Sequence, residues 1–184
     1  IEKDKRFVEF LAGWARATDG RAHIVEADAL DIDEAALIAR FGGTAPAFLI
    51  ANLPYNVATP LLTKWLKAGA WRGPMILMFQ KEVAQRVVAT PGQSAYGRLA
   101  VISQAVCSAS IVMHLAPGAF TPSPKVDSAI VRLDPLAAPY AALDALERVT
   151  ASAFGQRRKM LRSSLAGLFG ADLGAVLAGA GIDP

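Results

Sequence analysis

The sequence predicts an α/β protein, with a doubly wound sheet and an antiparallel edge over residues 1–135 and a small all-helical domain over 136–184. Three observations carry that expectation. Up to Val88, short apolar runs suited to strands alternate with amphipathic stretches of helical spacing. Two later runs rich in Val and Ile break the alternation and suit an antiparallel edge. Beyond Pro139 only helical patterns remain. The 184 residues suffice for one packed domain and a small appendage. With 53% hydrophobic and 19% charged residues, the chain has the composition of a protein with a substantial core, which excludes a disordered chain.

Ile1-Glu2 reads as the last step of a strand. Phe7, Phe10, Leu11 and Trp14 recur at helical spacing and are assigned to core packing, with Thr18-Asp19-Gly20 ending the helix. His23-Ile24-Val25 is a short strand leading into Glu26-Ala27-Asp28-Ala29. Asp33 and Glu34 open a helix that carries Leu37, Ile38 and Phe41 inward and stops at Gly42-Gly43. The apolar run over 47–51, bracketed by Pro46 and Pro54, reads as a buried strand. A helix from about Thr59 to Ala68 turns Leu61, Leu62, Trp65 and Leu66 to its apolar side. Met75 to Phe79 is a strand, and Lys81 to Val88 a short helix.

After Gly97, Leu99 to Ser108 and Ser110 to Leu115 are rich in Val, Ile and small residues. Val126 to Leu133 alternates as a strand, with Val126, Ile130 and Val131 prominent. Pro122 and Pro124 exclude regular structure from the loop between them, Phe120 to Lys125. Asp134 to Pro139 is a linker. Helices follow over 143–154, 159–168 and 173–180; they are too short for an independent core and are expected to dock on the first domain.

Cys107 is the single cysteine, which rules out an internal disulfide framework and suits a reducing cytosol as buried filler. No apolar run approaches the length of a membrane span and nothing at the start resembles a signal peptide, so a cytoplasmic protein is expected. The net charge of +3 says little about partners, but its distribution does. Arg157, Arg158, Lys159 and Arg162 cluster at a helix start, where the macrodipole disfavours cations; an anionic partner accounts for them, as does a solvated face. Lys125, Arg86 and Arg98 are weaker phosphate contacts.

Glu2, Asp28 and Asn52 fall at the ends of successive strands, which in a doubly wound sheet places them along one crevice. An acid after such a strand accepts from ribose hydroxyls or from an adenine amine; singly, each acid is also an ordinary helix cap. At Asn52-Leu53-Pro54-Tyr55, the Asn52 Oδ1 and a neighbouring carbonyl can accept the two hydrogens of an exocyclic amine while Tyr55 offers a stacking face. The same four residues also suit a plain turn. His23 and His114 are assigned structural places.

Three motifs together resemble the bacterial ribosomal RNA small-subunit adenine dimethyltransferase family: Asn52 to Tyr55, Ala119-Phe120-Thr121-Pro122-Ser123-Pro124-Lys125-Val126, and Phe154-Gly155-Gln156-Arg157-Arg158-Lys159-Met160-Leu161. The likeness runs nearly from end to end. It implies a Rossmann-like methyltransferase sheet with an RNA-binding helical domain at the C-terminus. By the resemblance, Glu2 with Lys3 lies at the ribose of S-adenosylmethionine, Asp28 and Ala29 at its adenine, and Asn52 also borders the cofactor. Asn52, Leu53, Pro54 and Tyr55 hold the target adenine, and Phe120 closes that pocket. Lys125, Arg157, Arg158, Lys159 and Arg162 face RNA.

The implied reaction dimethylates N6 of two adjacent adenosines near the 3′ end of small-subunit ribosomal RNA, with S-adenosylhomocysteine as product and no metal. The implied partner is the 30S particle, met by a monomer with no membrane contact. The alternative is an RNA-binding assembly factor of the same fold without chemistry. The glycine-rich loop that covers the cofactor in the family is not in this sequence, and Gly42-Gly43, a helix stop, does not replace it. The chain therefore reads as a fragment, or as the ordered part, of a longer enzyme, with weak or absent cofactor binding expected of residues 1–184 alone.

Overall fold

The protein is described here by a computed structural model covering residues 1–183 except Ala17 and Arg157. It divides into two compact units, Ile1–Leu77 and Met78–Pro184. Among the described residues, four strands form a sheet in the order β1-β2-β4-β3.

In the first unit, Asp4 begins helix α1 (Lys5–Arg16). Its Oδ1 accepts from the Arg6 amide at 3.0 Å and its carboxylate pairs with the Arg6 guanidinium, so an exposed N-terminal donor is satisfied. Phe7, Phe10 and Trp14, assigned above to the core, are exposed, Phe10 by 77%, and only Ala15 is buried. Helical spacing correctly finds the helix and its stripe, but burial depends on what lies across that stripe. His23 to Val25 is not a regular strand either. A single parallel bridge joins Glu2 to Glu26, with Glu2 N donating to Val25 O and Ala27 N to Glu2 O. One bridge of this kind is too short to make a ladder.

Helix α2 (Glu34–Arg40) is capped by Asp33, whose side chain accepts from the Ala36 amide at 3.0 Å. It ends at Gly42, which takes φ 71. Phe41, expected inside, sits partly exposed with His23 stacked on its ring at 4.1 Å and the Arg40 guanidinium 5.4 Å from the ring centre.

Strand β1 (Ala47–Asn52) alternates in burial, so the expectation of a fully buried strand fails on one face. Phe48 and Ile50 are exposed there, by 71% and 75%. Helix α3 (Ala58–Leu66) turns Leu61, Leu62, Trp65 and Leu66 inward as its spacing requires. Strand β2 (Arg72–Gln80) buries Met75, Leu77 and Phe79.

In the second unit, helix α4 (Lys81–Val88) leaves β2 directly, as expected. Helix α5 (Arg98–Gln104) occupies the start of the Val- and Ile-rich run after Gly97. The Gln104 amide donates to Val87 O and Ala89 O, supplying partners to carbonyls at the end of α4. Strands β3 (Cys107–Leu115) and β4 (Ser128–Pro135) pair antiparallel, from Cys107 with Pro135 to Leu115 with Ser128, with an irregularity between Ile111 and Met113. The antiparallel edge is therefore present, although Val126 lies outside β4 and is exposed. Cys107 is buried and free.

Helices α6 (Leu143–Gly155), α7 (Leu161–Phe169) and α8 (Leu173–Gly179) complete the unit, near their expected bounds. By length and composition Leu161–Gly179 is a 19-residue stretch apolar enough to cross a membrane, contrary to the expectation from the sequence. Gly170, at φ 54, divides it into α7 and α8, which bury Leu165 and Leu177 respectively.

Gly73, near the start of β2, lets that strand approach β1. A Cβ there would lie 2.8 Å from Ala47 O, a backbone atom unable to move aside cheaply. Gly73→Ala is expected to destabilise the protein by about 1–3 kcal/mol, read as a lowered denaturation midpoint with an unchanged denaturant slope.

Candidate functional site

A cavity of about 490 Å³ opens in the first unit. Its polar wall includes Glu2, Lys3, Asp28, Asn52 and Glu34; its apolar wall includes Phe48 and Ile50. The size and mixed lining suit a small organic ligand rather than a bare ion.

Each polar side chain is positioned locally. Glu2 sits at its bridge to Glu26, and its Oε1 accepts from the Asp4 amide at 2.8 Å. Asp28 turns the chain, accepting from the Leu30 amide on Oδ1 at 2.9 Å and from Lys3 Nζ on Oδ2 at 2.7 Å. The Lys3 hydrogen bond, helped by the Leu30 amide, holds the Asp28 carboxyl below the usual carboxylate range, and the same contact raises Lys3.

Asn52 is the last residue of β1, with an exposed side chain that has no partner among the described residues. Leu53 is buried beneath the turn, and Pro54 interrupts the backbone donors. The Pro54 carbonyl accepts from the Val57 amide at 3.1 Å, which leaves it one lone pair. Tyr55 is 39% exposed in that turn and is not part of the cavity lining.

Among the expected residues, Glu2, Lys3, Asp28, Ala29, Asn52, Leu53 and Pro54 therefore share one cavity. Phe120 and Lys125 lie in the second unit, on the loop between β3 and β4, where Phe120 is half-buried and Lys125 exposed. Arg158 and Lys159 belong to the connection between α6 and α7 and only Arg162 lies in a helix, all three exposed. Met160 is the N-cap of α7, so the first two cations precede the helix expected to carry them. Arg157 lies outside the described residues.

Beside the cavity, Lys64, Glu34 and Trp65 form a hydrogen-bonded group to which the sequence reading gave no site role. Lys64 Nζ donates to Ala29 O at 2.7 Å, Ile32 O at 2.5 Å and Glu34 Oε1 at 2.8 Å. The same Glu34 oxygen accepts from Trp65 Nε1 at 2.7 Å. The available signal is Lys64 itself, three residues after Leu61 on the edge of the apolar arc, where a cation needs partners. Among the described residues, no three His, Cys, Asp or Glu side chains gather in a metal-binding cluster.

An α/β protein with a cavity that runs along β1 to Asn52, walled by carboxylates and an amide, is of the class that places its ligands at strand ends. Two solved structures share the fold: a dimethyladenosine transferase from Plasmodium falciparum, with TM-score 0.72 and 23% identity over 99% of this chain and 66% of that one, and the 23S rRNA methyltransferase ErmE, with TM-score 0.67 and 23% identity over 99% and 71%. The ribosomal RNA adenine dimethylase profile matches residues 1–182, and the chain belongs to that family.

Curated relatives named ribosomal RNA small subunit methyltransferase A include those of Caulobacter vibrioides, 56% identical over 94% of this chain, and Phenylobacterium zucineum, 54% identical over 100%. The relative from Rhodospirillum rubrum is 52% identical over 100%. The chain spans 66%, 62% and 62% of their respective lengths.

Because Lys3 lowers the Asp28 pKa in the folded state, the pair's stabilisation is present above the unfolded carboxyl pKa and lost as pH falls through the folded one. A carboxyl-detected NMR titration should find Asp28 ionising below an ordinary aspartate, and Lys3→Met should bring it back toward that value.

Proposed function

We propose that the whole protein dimethylates N6 of two adjacent adenosines near the 3′ end of small-subunit ribosomal RNA. The observation that carries this reading is the Asn52 amide, exposed at the end of β1 and committed to no structural partner among the described residues. A residue left free in this way favours chemistry over RNA binding alone. The names of the curated relatives support small-subunit ribosomal RNA as the molecule methylated.

S-adenosylmethionine, when bound, supplies a methyl group on a sulfonium and leaves as S-adenosylhomocysteine. The cavity fits such a molecule because it combines acceptors for a nucleoside with an apolar wall. In this reading Glu2, with Lys3 beside it, accepts from ribose hydroxyls, and Asp28 and Ala29 flank the nucleoside's adenine.

The target adenine needs a different kind of help, since its amine lone pair is delocalised into the ring. Asn52 Oδ1 and the remaining lone pair of the Pro54 carbonyl accept the two amine hydrogens. They aim the nitrogen lone pair at the methyl group and stabilise the positive charge that grows there; each transfer breaks the methyl–sulfonium bond and releases one amine proton to solvent, and the first leaves a single N–H to be held for the second. Leu53 anchors the turn from beneath, Tyr55 stacks on the base, and Phe120 supplies a second aromatic contact.

Residues 1–135 form the S-adenosylmethionine-dependent domain in this account, and 136–184 the RNA-binding helical domain. Lys125, Arg157, Arg158, Lys159 and Arg162 contact phosphates of the 30S particle. The protein acts as a monomer in the cytoplasm.

Asn52→Ala in the whole protein should reduce methyl transfer to undermethylated small subunits by about 100-fold or more while RNA binding persists. Retained transfer would sink the assignment. Neutralising Arg158, Lys159 and Arg162 together should lower RNA affinity and flatten its logarithmic salt dependence by up to about three charges' worth, measured by titration across salt concentrations.

A further inference from the structure

We infer that Lys64 and Glu34 are positioning residues for the cofactor, acting by holding the segment that forms the nucleoside wall of the cavity. This rests on the methyltransferase reading above and goes beyond it, because neither residue is among those expected to touch either substrate.

The three hydrogens of the Lys64 ammonium are matched by Ala29 O, Ile32 O and Glu34 Oε1, at 2.7, 2.5 and 2.8 Å. All three acceptors lie in one stretch of six residues, while Lys64 itself is in α3. The stretch begins beside Asp28, and Ala29 and Glu34 both line the cavity. One cation thus ties the wall to a helix anchored by the buried Leu61, Leu62 and Leu66.

Glu34 keeps the tie selective. Its Oε1 receives Lys64 and also Trp65 Nε1, at 2.7 Å, so two neighbouring residues of α3 converge on one carboxylate oxygen. Trp65 is buried and also borders the cavity, and Glu34 is only 9% exposed. An ion pair screened in this way holds its geometry better than the exposed Lys3–Asp28 pair, whose lysine side chain is 76% exposed. The turn that sets the Asp28 carboxylate runs through Leu30 and Asp31, whose amides donate to Asp28 Oδ1 and Asp28 O. Lys64 holds the carbonyls on both sides of that turn, at Ala29 and Ile32. Loss of the clamp frees the turn to shift and carries Asp28 with it.

Few other arrangements of the segment would satisfy a cation donating to two carbonyls and a carboxylate at once. The effect falls on binding the nucleoside end of the cofactor, before any methyl moves. Lys64 and Glu34 act through Ala29 and Asp28, without contact with the target adenine.

The test is calorimetric titration of the whole protein with S-adenosylmethionine and S-adenosylhomocysteine, paired with steady-state kinetics and RNA titration. Lys64→Met should weaken both nucleosides by about tenfold or more and raise KM for S-adenosylmethionine in step. It should leave kcat within about twofold and RNA affinity unchanged. Trp65→Phe removes one of the two hydrogen bonds to Glu34 and should weaken the same ligands by a smaller factor, about threefold.

A Lys64→Met protein that binds both nucleosides as the wild type does overturns the inference, as does one that loses kcat and RNA affinity in parallel with cofactor affinity. If Lys64→Met does not fold, Trp65→Phe decides: unchanged nucleoside affinity overturns the inference, and a selective loss supports it. A wild-type protein that binds neither nucleoside defeats the methyltransferase reading, an outcome distinct from a wild type that binds and a variant that binds equally well.

Discussion

The cavity depends on where β1 stops. A strand that continued past Asn52 would commit the following backbone to a ladder, and Pro54, which has no amide hydrogen, prevents this. The chain turns instead, burying Leu53 and using the Pro54 carbonyl for the Val57 amide. That turn starts α3 at Ala58, and α3 in turn supplies Trp65 to the cavity lining and Lys64 to the backbone behind it. One proline therefore ends the strand at Asn52 and connects it to a buried helix.

The electrostatics of the first unit are arranged in two tiers. Lys3 and Asp28 meet at the rim, where water and salt weaken their attraction. Lys64 and Glu34 meet deeper, with side chains 27% and 11% exposed, and their remaining demands are met by two carbonyls and an indole. A partly buried pair is tolerable because its hydrogen-bonding capacity is filled. Charge-bearing residues thus form part of the frame as well as the binding surface, which composition alone does not distinguish.

Much of the fold was legible because local pattern and packing agree. Helix α4 begins and ends where its sequence says, and α3 turns inward the four large residues its spacing selects. The failures share a cause, since burial is decided by neighbours distant in sequence. Phe7, Phe10 and Trp14 form an apolar stripe that is exposed, and Phe48 and Ile50 form the uncovered side of a strand whose apolar run suggested burial on both faces. His23 to Val25 has strand-like composition but only one short partner. Around the cavity, the acids and the Asn52 turn were visible as residue types at element ends, whereas the Lys64 clamp required knowing that the stretch from Ala29 to Glu34 folds back onto α3.

The lining of the cavity runs from Ile1 to Trp71, all within the first compact unit. Occupancy and stability are therefore linked through that unit: a ligand with no affinity for the unfolded chain, present at a hundredfold excess over its Kd, adds about 2.7 kcal/mol by mass action. The increment is felt by the elements that furnish the walls. In exchange of backbone amides, a bound nucleoside should register as slower opening of β1 and α3, so that substrate supply also governs how long this part of the chain stays closed to solvent and to proteases.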